Sequence, residues 1–406
     1  MIKTDFNRYV SKFISEGDKL KYHKQRKKIN NDLTVGDLSY LNDINSYISR
    51  DELNEIIKTS AYVKNNCDVF IVIGIGGSYM GSKAIIESLL PTFKKVRPEI
   101  IFIGTDLSAD YYKEVIDYIK DKEVMINVIS KSGNTLEPNI AFEIINYILE
   151  GKYSSEELED RIIITTDKNK GSLRKLVNEK GYKSFTVPEK IGGRFSVFTP
   201  VGLLPLAVAG VDILKLLEGF MDGQSYIEEA VDYAITRDIL FKKNKQVEAF
   251  TVYDPKLYYF TEWLKQLFAE TQGKEEKGIL PISNINTRDL HSMGQFLQEG
   301  NPIIFETVIE VEKAQTIMIM KYNKTLNEIN KIAREKVCVA HYKDKTPSNV
   351  ISIENLDEYN IGELVKFFIS ASIAGAILMN INPFDQPGVE KYKILVNEAL
   401  NNTYIF

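Results

Sequence analysis

Short, unbroken apolar runs recur along this chain, separated by helical patterns. Residues 68–74 read Asp-Val-Phe-Ile-Val-Ile-Gly, and comparable runs stand at 99–104, 124–129, 161–166 and 184–187. A strand without a polar face has to be covered on both sides, so these runs predict a parallel sheet between helical layers. Right-handed crossovers make that a doubly wound α/β domain. The same alternation resumes at residues 247–253 and continues to the run at 349–353 and an apolar helix over 363–379. The expected organisation is a helical segment over 1–55, a first α/β domain over 56–211 and a helical bridge over 212–240. A second α/β domain over 241–383 follows, then a C-terminal turn and helix over 384–406. Within the N-terminal part, residues 5–64 read as helical, with Tyr9, Phe13 and Ile14 on one face.

In such a sheet ligands sit beyond the carboxyl ends of the strands. Two turns of small residues fall there. The first is Gly76-Gly77-Ser78, after the 68–74 run. The second is Ser130-Lys131-Ser132-Gly133-Asn134-Thr135, followed by Leu136, Glu137 and a long helical pattern. Hydroxyls, a lysine and the unpaired N–H groups of a helix start form a ready phosphate cradle, although Ser, Asn and Thr also serve as plain N-caps. The glycine turn lacks the third small residue of the dinucleotide fingerprint, with Tyr79 in its place and Asp106 only near the acidic position, and no P-loop is present.

Four more stretches hold chemistry. Gly192-Gly193-Arg194 turns tightly and presents a fixed cation suited to an oxyanion. Glu270 stands at the end of an apolar helix, where the macrodipole disfavours a carboxylate. His291 is one of only three histidines; a lone histidine is more often a structural than a catalytic residue. Gln386 and Lys393 are about two helical turns apart, so both can face one site.

Composition removes several classes. A net charge of −5 and a pI near 5.6 argue against nucleic acid or an anionic membrane as partner, despite the basic stretch from Lys19 to Lys28. The apolar run over 367–379 is too short to span a bilayer and reads as a buried helix. Cys67 and Cys338, far apart, suit reduced buried thiols, and with no signal-like start the expected location is the cytoplasm. The scattered His23, His291 and His341 give no metal-binding pattern.

Taken together, the Ile73-to-Ser78 turn, the hydroxyl turn, residues 191–202, the Glu270 and His291 stretches and residues 384–393 resemble the glucose-6-phosphate isomerase family in its shorter bacterial form. The resemblance implies two sugar-isomerase α/β domains and reversible aldose–ketose isomerisation of hexose 6-phosphates, without a metal or redox cofactor. It implies a phosphate loop of Ser130, Lys131, Ser132 and Thr135, with Gly77 and Ser78 beside the sugar. Glu270 corresponds to the base, Arg194 to the enediolate stabiliser, and His291 with Lys393 to the ring-opening pair. Gln386 and Glu137 correspond to neighbours of the substrate. Asn134 stands where Thr is expected, and Pro387 where some members carry Trp. A homodimer with His291 contributed across the interface is also implied. A silent sugar-phosphate-binding regulator and a nucleotide-dependent oxidoreductase are the competing classes.

Overall fold

In the computed structural model, which describes residues 1–93 and 97–401, the chain opens with a strand. β1 (Ile2–Tyr9) runs antiparallel to a strand near the other end of the chain, with Ile2 opposite Ile353. This corrects the helical expectation for residues 5–9. Ile2, Phe6 and Tyr9 are buried as expected of core residues, but the open edge of a distant strand supplies backbone partners that local spacing cannot announce. Helix follows: Ser49 caps the helix Arg50–Asn66 by accepting from the Glu52 N–H.

The first sheet contains β2 (Val69–Ile73), β3 (Glu99–Ile103), β4 (Val124–Ile129), β5 (Ile162–Thr166) and β6 (Lys183–Thr186). Their order is β3-β2-β4-β5-β6 and every pair is parallel. Along β2, Phe70 and Val72 join one apolar cluster while Val69, Ile71 and Ile73 join another on the opposite face. That two-sided burial is why these strands lack a polar face. The order reverses direction at β2 and β4, so the crevice beyond their carboxyl ends is the place for a ligand.

The second half of the chain contributes β7 (Val247–Val252), β8 (Leu280–Ile285), β9 (Ile304–Val311), a separate two-residue pair of β10 (Met318–Ile319) and β11 (Lys324–Thr325), and β12 (Ser348–Ile353). The second sheet has the order β1-β12-β9-β7-β8, parallel except at the β1 edge. Helix Glu358–Leu378 runs through the core against helices Ile213–Asp222, Ile227–Lys242 and Tyr258–Gln272. At 21 residues it is long and apolar enough to cross a bilayer, yet 89% of its most apolar window is buried inside the fold. The last helix, Glu390–Asn401, is different: residues 391–400 are all exposed.

Candidate active site

Two backbones meet at the centre. After β2 the chain makes a tight turn, Gly76–Ser78, with Gly76 at φ +57°. A Cβ on Gly77 would stand 2.2 Å from both the carbonyl carbon and oxygen of Gly193. Only glycine allows that approach, and it presses the first turn against the turn that carries Arg194.

Arg194 is 3% exposed. Its Nε donates to Thr271 Oγ1 at 2.9 Å, and Nη2 donates to the carbonyl of Pro383 and, at 3.4 Å, to that of Asp385. Nη1 lies 3.6 Å from Glu270 Oε2. Burial pulls the guanidinium below the ordinary arginine value, while the charges of Glu270 and Asp385 oppose that shift. Glu270 occupies the last turn of helix Tyr258–Gln272, its side chain 29% exposed, so it remains open to a ligand. Gln266 Nε2 donates to its Oε1 at 3.0 Å, and Gln386 Nε2 donates to Oε2. Lys274, nearly buried, holds the 382–385 segment in place through Asn382 O and Asp385 Oδ1, both at 2.6 Å.

Behind this turn lies a buried polar chain that sequence reading missed. Gln272 Oε1 accepts from Arg237 Nη1 at 2.9 Å, and Gln272 Nε2 donates to Ser372 O at 2.9 Å. Arg237 Nε in turn donates to Glu248 Oε2 at 2.7 Å, and Glu248 Oε1 accepts from Tyr233 and, at 2.7 Å, from Thr307. The available signal was a charge inside a strand, Glu248 in β7, which demands a partner when the strand is central. Nothing local names that partner.

The hydroxyl turn follows β4 and leads into helix Leu136–Glu150. Ser130 is buried and its Oγ accepts from Gly133 N–H at 3.1 Å, while Ser132 Oγ accepts from Asn134 N–H at 3.2 Å. These bonds shape the turn, with Gly133 at φ +71°. Thr135 occupies the N-cap position but makes no side-chain cap bond, and Glu137 is half-buried in the first helical turn. Lys131 reaches across to Glu189 O at 2.8 Å, just ahead of Gly192 and Gly193. Ser78 is half-buried in the glycine turn beside Gly77.

Two expected residues are not gathered in. His291 is exposed on the turn Arg288–His291 after β8, a turn tied down by Asp289, which accepts from Ile285 N–H at 2.7 Å. Lys393 is exposed on the last helix and pairs with Glu390 at 3.1 Å. Among the described residues no hydrogen bond or ion pair joins either to Glu270. Of the Gln386 and Lys393 pair, only Gln386 reaches the carboxylate.

The fold is that of two doubly wound sheets found in solved structures of phosphosugar-isomerase type. A hypothetical protein from Thermus thermophilus superposes with a TM-score of 0.87 at 23% identity, over 99% of this chain and 100% of that one. A glucose-6-phosphate isomerase from Chlamydia trachomatis gives 0.77 at 20% identity, over 86% and 73%. The family model for phosphoglucose isomerase matches residues 15–328 and 306–404. A glucose-6-phosphate isomerase of Caldanaerobacter subterraneus subsp. tengcongensis is 44% identical over 384 residues, 88% of this chain and 85% of that protein. One from Fusobacterium nucleatum subsp. nucleatum is 42% identical over 423 residues, 97% and 94%. The chain belongs to the phosphoglucose isomerase family.

Proposed function

We propose that this protein interconverts glucose 6-phosphate and fructose 6-phosphate, a step shared by glycolysis and gluconeogenesis. The observation that carries the reading is a half-open carboxylate, Glu270, set 3.6 Å from the buried cation of Arg194. An aldose becomes a ketose when a proton leaves C2 and returns at C1, with a second proton moving between O1 and O2. Glu270 takes and returns the carbon proton. The enediolate formed in between carries negative charge on oxygen, which the fixed guanidinium of Arg194 stabilises. Thr135 and Ser132, with Ser130 and Lys131, hold the phosphate, whose binding energy fixes the reacting carbons in place. Gly77, Ser78, Gln386 and Glu137 border the sugar. His291 and Lys393 open the ring.

Among the described residues no hydrogen bond or ion pair joins His291 to Glu270 within one chain, and the proposal includes a homodimer in which His291 reaches the partner's site. A cytoplasmic setting is also part of it. Cys67 and Cys338 are buried and unpaired with each other, as suits a reducing compartment. The test is a coupled assay with fructose 6-phosphate beside Glu270→Gln. Turnover and solvent-deuterium exchange into C2 should both vanish in the variant, with hexose-phosphate affinity kept within about tenfold. Exchange that persists in the variant would assign the base elsewhere.

A further inference from the structure

A cavity of about 320 Å³ opens at the carboxyl end of β3, on the side of the glycine turn away from the hydroxyl turn. Its walls are Tyr79, Phe102, Tyr111 and Tyr259, with Lys83 and Asp106 among them. Three of the rings come from the first domain, and Tyr259 comes from the start of helix Tyr258–Gln272.

Lys83 is half-buried, and its ammonium sits 4.4 Å from the ring centroid of Tyr259 and 5.8 Å from that of Phe102. Among the described residues it forms no ion pair, so this cation is held over aromatic faces with no carboxylate to neutralise it. Asp106 keeps acceptor capacity: its carboxylate takes Ser108 N–H at 2.9 Å and the Thr105 hydroxyl at 3.3 Å, which leaves further lone pairs. The hydroxyls of Tyr79, Tyr111 and Tyr259 make no hydrogen bond among the described residues. Burial raises Tyr79 and Tyr111 above the ordinary phenol range, which keeps them as donors.

We propose that this cavity binds a nucleoside 5′-monophosphate, with the base against the tyrosine and phenylalanine rings, the ribose diol on Asp106 and the phosphate on Lys83. Aromatic faces stack nucleobases at roughly 1–3 kcal/mol per base. A carboxylate just past the second strand of a βαβ unit is where doubly wound folds take a ribose diol. A volume of about 320 Å³ lies at the small end of the range of ligand pockets, in keeping with a mononucleotide. The ring-plus-phosphate chemistry is shared with the hexose phosphates of the catalytic site, so the experiment has to separate the two.

The protein's only tryptophan, Trp263, lies one helical turn after Tyr259 and serves as a local reporter. Adenosine 5′-monophosphate is titrated into the full-length protein by calorimetry and by Trp263 fluorescence, with and without saturating fructose 6-phosphate. Saturable binding is expected in both conditions. Lys83→Met should weaken it at least about tenfold while kcat and KM for fructose 6-phosphate stay within about twofold. Adenosine should bind more weakly than its phosphate and be indifferent to Lys83→Met. The site is refuted by absence of saturable binding up to millimolar nucleotide, by displacement with fructose 6-phosphate, or by full affinity in Lys83→Met. A loss of kcat in that variant would move Lys83 into the catalytic cleft and overturn the assignment equally.

Discussion

Arg194 donates from Nε to Thr271 Oγ1 at 2.9 Å, and the residue before Thr271 is Glu270, whose Oε2 lies 3.6 Å from the same guanidinium. One helical turn thus aims the cation and carries the carboxylate. Thr271→Val keeps the shape and removes the acceptor, leaving a buried N–H unpaired. Its kcat should fall about tenfold to a hundredfold with KM within about threefold, and Thr271→Ser should restore most of kcat. A Thr271→Val enzyme at full kcat would show that Arg194 holds its aim without the hydroxyl.

The Arg237–Glu248 pair separates stability from positioning. Removing Arg237 alone, as Arg237→Met, strands a buried carboxylate and should cost about 3–5 kcal/mol in urea unfolding. Adding Glu248→Leu removes the stranded charge and should recover most of that loss. The double variant still lacks the donor that holds Gln272, so its kcat should remain low when its stability returns. Recovery of both together would reduce the pair to a structural feature.

The two touching glycines are not equivalent. A Cβ on Gly77 meets the Gly193 carbonyl at 2.2 Å and Arg194 N at 2.8 Å, whereas a Cβ on Gly193 finds nothing closer than Gly77 Cα at 4.0 Å. Gly77→Ala must therefore displace the backbone that carries Arg194, and kcat/KM should drop about a hundredfold or more. Gly193→Ala should stay within about threefold of the parent. Equal tolerance at both positions in a steady-state assay would contradict the close approach.

Legibility in the sequence followed the physical origin of each feature. β4 was expected over residues 124–129 and is found there, because a doubly buried strand announces itself without reference to any partner. The helical expectation fails at residues 5–9 because the partner of β1 lies at the far end of the chain, Ile2 against Ile353, and an edge strand has only half a pattern. Glu270 and Arg194 stood out by chemistry, one by its place at a helix C-terminus and one by the glycines before it. Thr271, Gln272 and Arg237 did not, since their significance is entirely in residues to which they are joined across the fold.

A buried histidine gives the pH dependence of stability. His341 Nδ1 stands 2.6 Å from Glu306 Oε2, and Glu306 also accepts from Thr251 at 3.1 Å and Ser348 at 3.2 Å. Burial pulls His341 down, but the hydrogen bond and charge of Glu306, with Asp344, outweigh it and the net shift is upward. A raised folded value means the contribution is complete below the unfolded value of about 6.5 and is lost as pH rises through the folded one. Urea unfolding should show stability declining as pH rises from about 6.5 through the folded value. The decline should be shallower in His341→Gln, and an unchanged slope would remove His341 as its source.

The shared-site proposal makes a numerical prediction. Glu270→Gln and His291→Ala are each expected to be inactive as pure proteins. When the two are mixed under conditions that permit subunit exchange, about half of the random dimers are hybrids. In a hybrid whose sites combine Glu270 of one chain with His291 of the other, one site carries both substitutions and the other carries neither. About a quarter of all sites should then recover activity. Residues that act within a single chain would leave every site in every dimer damaged, and mixing would restore nothing. Exchange is verified by native mass spectrometry of differently tagged chains. His291 and Glu270 make no hydrogen bond or ion pair within one chain among the described residues, so recovered activity would supply the contact from the partner subunit. Confirmed exchange with no recovered activity would require His291 to act from its own chain or not at all.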